Sequence, residues 1–227
     1  MKRRHTLNDF NTVDYAELNR KTAMHEAGHA AAIYFSNRQR MLPLIFFRMV
    51  ISPCVCDAVN NHRCITRIEG GRLIHTLPSS LEEATRNFSL EQQRAYRSAF
   101  EADIINLLVG SLAEANYVAQ RDNELINPRL VPLSVLHNYG GEADLEVVQQ
   151  YLDCFVSNEM QQEQKIKELF WQAFDFVSDW THWYAITALA NYILKHENDV
   201  IEYDEIIGVL EEHFLLAKKY SQRVAMF

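Results

Sequence analysis

Cysteine is scarce in this chain, positive charge is outweighed, and no long apolar run occurs; each absence removes a class of function. The 227 residues contain four cysteines, Cys54, Cys56, Cys64 and Cys154. They are too few and too irregularly spaced for a secreted disulfide framework, and the expected compartment is cytosolic. Lys and Arg number 22 against 30 Asp and Glu, a formal charge of −8, which argues against general affinity for nucleic acid or an anionic membrane. Residues 1–5 are locally basic, but no apolar core or small-residue cleavage site follows them, so they do not read as a signal peptide. The most apolar run, residues 41–53, contains Pro43 and Arg48 and falls short of the ~20 residues that cross a bilayer, so no direct membrane insertion is expected. There is no internal repeat and no low-complexity tract. What remains is 48% hydrophobic residues, enough for a full core in one large domain or a domain with an appendage.

One stretch specifies a chemistry: Thr22-Ala23-Met24-His25-Glu26-Ala27-Gly28-His29-Ala30. It reads His-Glu-x-x-His in a segment suited to a helix. Positions i and i+4 of a helix share a face, so His25 and His29 can offer two imidazoles to one metal ion. Glu26 is placed to take a proton from water at that metal rather than to be a ligand. Such five-residue patterns also arise by chance in ordinary helices. Gly28 raises the odds of a site, because glycine inside a helix costs about 1 kcal/mol relative to alanine and close approach of another element would account for it.

The remaining pattern predicts mainly α structure with a small β-sheet or hairpin, a motif helix followed by a helical bundle. The motif helix is expected from about Val13 to Phe35, capped by Asn11-Thr12. Strands are expected over residues 44–52, 63–69 and 72–77, the last two joined by a Gly70-Gly71 hairpin turn. A long helix starts near Ser89 and passes through Ala99, Ile104, Leu108 and Leu112 to Tyr117, with one side buried. Residues 121–141, with Pro128, Pro132, Gly140 and Gly141, read as a long loop. Helices follow from about Ala143, from Glu163, from Trp183 to Leu194 and from Tyr203 to Tyr220. The expected organisation is a mobile segment over 1–12, a core over 13–158 and a helical part over 159–227 packed on it, in one domain overall.

A catalytic zinc site needs a third protein ligand and an open position for water. Two carboxylates compete for the role: Glu114 on the long helix, and Asp144 opening a helix just after Gly140-Gly141. Here the sequence resembles a family. The stretch Thr22–Ala30, the Gly110-Ser111-Leu112-Ala113-Glu114 segment and Gly140-Gly141-Glu142-Ala143-Asp144-Leu145 together are similar to the FtsH-type zinc peptidases, the proteolytic domains of membrane-bound AAA proteases. The resemblance implies Zn²⁺ held by His25, His29 and Asp144, with Glu26 as general base. It leaves Glu114 as a carboxylate behind the ligands or an alternative ligand, and the family's Gly-Gly-Arg and tandem Glu-Glu are replaced by Gly110-Ser111-Leu112 and a single Glu114. No Gly-x-x-x-x-Gly-Lys-Ser/Thr phosphate loop occurs, since no glycine precedes a lysine. The implied protein is therefore a peptidase part standing apart from its motor, with an unfolded polypeptide as substrate and a homo-oligomer or a separate ATPase as partner.

Three further groups bear on function. His137, seven residues before Asp144, is a candidate neighbour of the site. Cys54, Cys56, His62 and Cys64 could hold a second metal, but their spacing differs from that of Cys-x-x-Cys knuckles and favours ordinary strand and loop cysteines. Phe170, Trp171, Phe174, Phe176, Trp180, Trp183 and Tyr184 cover too many helix faces for a ligand box and read as core plus a buried helix contact, with a partner subunit as the alternative for some of them. The alternatives to a peptidase are a catalytically silent relative, using its metal structurally and its C-terminal helices for binding, and a zinc hydrolase of another amide.

Overall fold

The computed structural model describes residues 15–53, 63–156 and 158–224. The segment expected to be mobile, the Asn11-Thr12 cap, Cys54, Cys56 and His62 lie outside those residues, as does the side chain of Cys64. The architecture is mainly α with one small antiparallel sheet. Helix α1 (Tyr15–Ala31) continues through a π-helical turn (Ala32–Ser36) into a last turn, α2 (Asn37–Gln39), so the motif helix runs one turn past Phe35. Strands β1 (Phe47–Pro53) and β2 (Arg63–Gly70) follow, then the short α3 (Leu81–Ala84) and the long α4 (Leu90–Arg121). A 3-10 helix (Leu133–Tyr139) occupies the expected loop. Four more helices complete the chain: α5 (Glu142–Phe155), α6 (Glu159–Ser178), α7 (Trp180–Lys195) and α8 (Tyr203–Val224), with β3 (Val200–Ile201) between the last two. Among the described residues no helix is long and apolar enough to cross a membrane.

Local chemistry sets the helix starts. Ser89 and Gln92 form a reciprocal capping box at α4, each side chain bonding the other's backbone N–H. The Asn158 side chain accepts from Met160 N and Gln161 N to open α6. Asp179 accepts from Thr181 N and His182 N, which starts α7 three residues before the expected Trp183.

Helix α4 is the axis of the molecule. From Ala102 to Asn116 every residue is buried, so the helix is covered all round rather than along one side. Helices α1, α5 and α6 and the 3-10 helix pack against it, while α7 packs on α1 and α8 on α7. One hydrophobic cluster joins them, running from Ala23 to Leu210. Of the aromatic set, Phe170, Phe174, Phe176 and Trp183 are core, whereas Trp171, Trp180 and Tyr184 are exposed.

The sheet has the order β2-β1-β3. Phe47, Met49 and Ile51 alternate inward along β1, and outside them Arg48 and Arg67 both pair with Glu69. The expected hairpin between residues 63–69 and 72–77 does not form. Gly70 and Gly71 do have the positive φ that such a turn needs, 87° and 80°. The chain after them is captured instead by α4: Leu73 N and Ile74 N donate to the Asp103 carboxylate at 2.9 and 2.8 Å, and Tyr151 Oη donates to it at 2.9 Å. β2 pairs with β1 instead, Phe47 opposite Gly70.

That buried carboxylate ties a strandless segment to α4 and α5. Asp103→Ala leaves the Leu73 and Ile74 N–H groups without their acceptor, while Tyr151 Oη keeps the Ile74 carbonyl, and the expected loss is about 2–4 kcal/mol of folding stability. Urea unfolding followed by circular dichroism checks it; an unchanged midpoint contradicts the role given to Asp103.

Candidate metal centre

The first requirement of the centre is that α1 lie unusually close to α4. A Cβ at Gly28 would be 2.7 Å from Ala113 Cβ and 3.0 Å from Val109 O, and a Cβ at Gly110 would overlap the His29 ring. Both positions therefore need glycine, one for the backbone approach and one to seat the imidazole. Ala23, Ala27 and Ala30, fully buried, line another side of α1, turned about 100° or more from Gly28.

Each imidazole is then oriented from behind. His29 Nδ1–H donates to the Asn106 carbonyl at 2.7 Å, and His25 Nδ1–H to the Tyr139 carbonyl at 3.1 Å. With Nδ1 the donor, each ring turns an Nε2 lone pair the other way, which is how metal-binding histidines are usually held. Asp144 comes in from the first turn of α5, where a carboxylate is favoured by the helix dipole. The turn that delivers it needs both its glycines. Gly140 has φ 74°, and a Cβ there would stand 3.2 Å from His25 Nδ1; at Gly141 it would run into Ser111 Oγ.

Three acceptor atoms thereby converge. His25 Nε2 is 3.0 Å from His29 Nε2 and 3.1 Å from Asp144 Oδ2, and His29 Nε2 is 3.2 Å from the same oxygen. Lone pairs this close repel unless a cation or a proton lies among them. Tetrahedral bonds of 2.0–2.1 Å would separate such atoms by about 3.3–3.4 Å, so an ion fits with outward movements of a few tenths of an ångström. Asp144 Oδ1 and Glu26 Oε2 are buried and have no hydrogen-bond partner among the described residues, which leaves carboxylate capacity around the cluster unused. Among the described residues this is the single group of three His, Cys, Asp or Glu side chains that could hold an ion.

The electrostatics agree. Burial depresses the His25 imidazole, but hydrogen bonding to Asp144 and Glu114 and the charges of Asp144 and Glu26 outweigh it and hold its pKa at about 10. Burial raises the Asp144 carboxyl, yet the two imidazoles overcome this and keep it below the usual carboxylate range. Without metal, a proton on His25 takes the place of the cation.

Of the residues singled out by sequence, His25, His29 and Asp144 meet, and Glu26 lies in the same turn, close enough to act on His25. Glu114 Oε2 stands 3.6 Å from His25 Nδ1, on the side of the ring away from the cluster, so it is behind His25 and not among the three. His137 is exposed and bonds its own helix at Ser134 O; the contact of the 3-10 helix with the site is the Tyr139 carbonyl. Sequence reasoning misses Asn106 and Tyr139, because each acts through a main-chain oxygen that any residue type supplies. Gly110 does carry a readable signal, a glycine in the middle of a buried helix.

Two outcomes are expected. Gly110→Ala pushes the His29 ring off its seat and weakens metal binding about 10–100-fold with the fold retained, measured by competition against a chromophoric chelator. Because a metal must displace the proton that His25 holds up to about pH 10, apparent affinity rises with pH from neutral towards 10 and falls in acid. Binding titrations across pH check the sign, and affinity independent of pH contradicts it.

No family model matches the chain, and no curated protein is significantly similar to it.

Proposed function

We propose that the protein is a zinc-dependent peptidase of the cytoplasm that hydrolyses peptide bonds of unstructured or pre-unfolded polypeptides, without an ATPase or with one supplied as a separate partner. The observation that carries this reading is the convergence of His25 Nε2, His29 Nε2 and Asp144 Oδ2 at 3.0 to 3.2 Å with Glu26 one residue along the same helix. Two imidazoles and a carboxylate are the donor set of a catalytic zinc, with one position left for water. Bound there, zinc supplies Lewis acidity, bringing the pKa of water to about 7 and polarising a carbonyl.

The chain's own groups do the rest. His25 and His29, fixed by the Tyr139 and Asn106 carbonyls, present neutral nitrogens, and Asp144 contributes the balancing negative charge. Glu26 takes the proton of the attacking water and returns it to the leaving amine. Its Oε2 has no competing hydrogen bond among the described residues. Among the described residues β2 is an edge strand, and its outer edge would offer main-chain groups to an extended peptide, a mode of holding that tolerates many sequences. The resemblance to FtsH-type peptidases in the motif helix and at Gly140–Leu145 supports the same assignment of roles.

A second reading rests on burial. His25, Glu26, His29 and Asp144 are all 6% exposed or less, which leaves a polypeptide little access to an ion among them. On that reading the ion clamps α5 to α1 and the protein is catalytically silent.

Glu26→Gln separates the two. The peptidase reading expects zinc retained and cleavage of casein or a labelled peptide reduced about 10²–10⁴-fold, while Asp144→Asn weakens zinc itself. A wild-type protein that cannot be loaded with zinc refutes both readings; one that binds zinc and cleaves no denatured substrate selects the structural role.

A further inference from the structure

Helix α8 is well buried on one side, through Ile206, Leu210 and Ala217, and bare on the other. The bare side has an order to it. At 100° per residue, Gly208, Glu212, Leu215, Leu216, Lys219 and Arg223 fall within one stripe, and all six are exposed. Leu215 is 53% and Leu216 46% exposed, side by side on this stripe. Beside them an apolar cavity of about 500 Å³ lies between α7 and α8, lined by Trp180, Tyr184, Leu216 and Tyr220 and rimmed by Lys219 and Arg223.

The charges on this side are segregated. Glu205 and Glu212 precede the leucines; Lys219 and Arg223 follow them. None of Glu212, Lys219 and Arg223 has an ion-pair partner among the described residues. Lys219 and Arg223 are four apart on one face, so they repel each other with no acid paired to them among the described residues. The helix dipole explains acids in the first turn and bases in the last, but its effect has decayed at Glu212 and Lys219, which lie further in.

We infer that this face is where a second copy of the chain docks, α8 against α8, antiparallel about a two-fold axis. The register follows from the sequence: an axis between Leu215 and Leu216 sets Leu215 on the partner's Leu216 and Glu212 on the partner's Lys219. It also sets Arg223 over the partner's Gly208, where a Cβ would meet nothing within 4 Å, between the partner's Glu205 and the partner's Glu212. Each contact occurs twice by symmetry, as an isologous interface requires. The leucines and the α7–α8 cavity form the apolar centre, with Trp180 and Tyr184 extending it, and the charges form the rim. The metal centre, held by α1 and α5, is not part of the interface, so this inference stands apart from the proposed activity.

The test is a charge-swap on the full chain followed by sedimentation equilibrium. Wild type is expected to be in monomer–dimer exchange, weakened by added salt. Glu212→Lys and Lys219→Glu each turn two attractions into repulsions and weaken the dimer at least about tenfold. Their equimolar mixture restores it, because a Glu212→Lys chain presents two bases at these positions and a Lys219→Glu chain presents two acids, so both contacts across the axis become attractive again. Leu216→Asp abolishes dimerisation while leaving the circular dichroism spectrum unchanged. A wild type that stays monomeric on the order of 100 μM overturns the inference. So does a dimer indifferent to all three substitutions, and failure of the mixture to recover overturns the antiparallel register.

Discussion

The candidate centre exists because two helix backbones approach more closely than side chains ordinarily allow. Gly28 on α1 faces Ala113 and the Val109 carbonyl on α4, and Gly110 gives the His29 ring the space its own side chain would fill. At ordinary separation the Asn106 carbonyl would not reach His29 Nδ1, and that ring would lose the partner that orients its Nε2. Ala23, Ala27 and Ala30 line another buried side of the same helix. They contribute little apolar area each, so the helix is held by its neighbours α4 and α7 and not by large side chains of its own. What is gained is precision in where two imidazoles stand.

Much of the fold is legible in the sequence. Alternating Phe47, Met49 and Ile51 marks a strand, and the Ser89–Gln92 pair marks the start of α4, because local chemistry alone decides both. The Gly70-Gly71 turn misleads for a reason of range: the glycines adopt the expected φ, but a carboxylate thirty residues away, Asp103, takes the donors that a hairpin would have used. The burial of α4 on all sides is likewise unreadable, since periodicity records one apolar face and not how many neighbours arrive. Of the site, the i, i+4 histidines are legible because spacing alone aligns them. Asp144 enters through its glycines and a family resemblance. The two carbonyls behind the histidines leave no trace in residue type.

The centre also gathers negative charge out of water. Glu26, Glu114 and Asp144 are all nearly excluded from solvent, with two imidazoles between them. Three buried carboxylates facing two neutral histidines would be costly, and protonating His25 relieves only part of the deficit. A divalent ion would balance two of the three charges and satisfy the converging lone pairs at once. The acidic interior is thus a reason for a cation that does not depend on recognising any motif.

The elements that meet at the centre are far apart in the chain, with His25 and Asp144 separated by 119 positions. Closing so long a loop is entropically expensive. The 3-10 helix and the start of α5 are held to α1 by the Tyr139 carbonyl, the glycine pair and the Asp144 carboxylate. An ion bound by both histidines and Asp144 would belong only to the folded state, so its binding free energy would add to folding. Catalytic and structural roles for such an ion are therefore not opposed in this fold: the ligand that would complete the chemistry is also the one that would fasten α5 to α1.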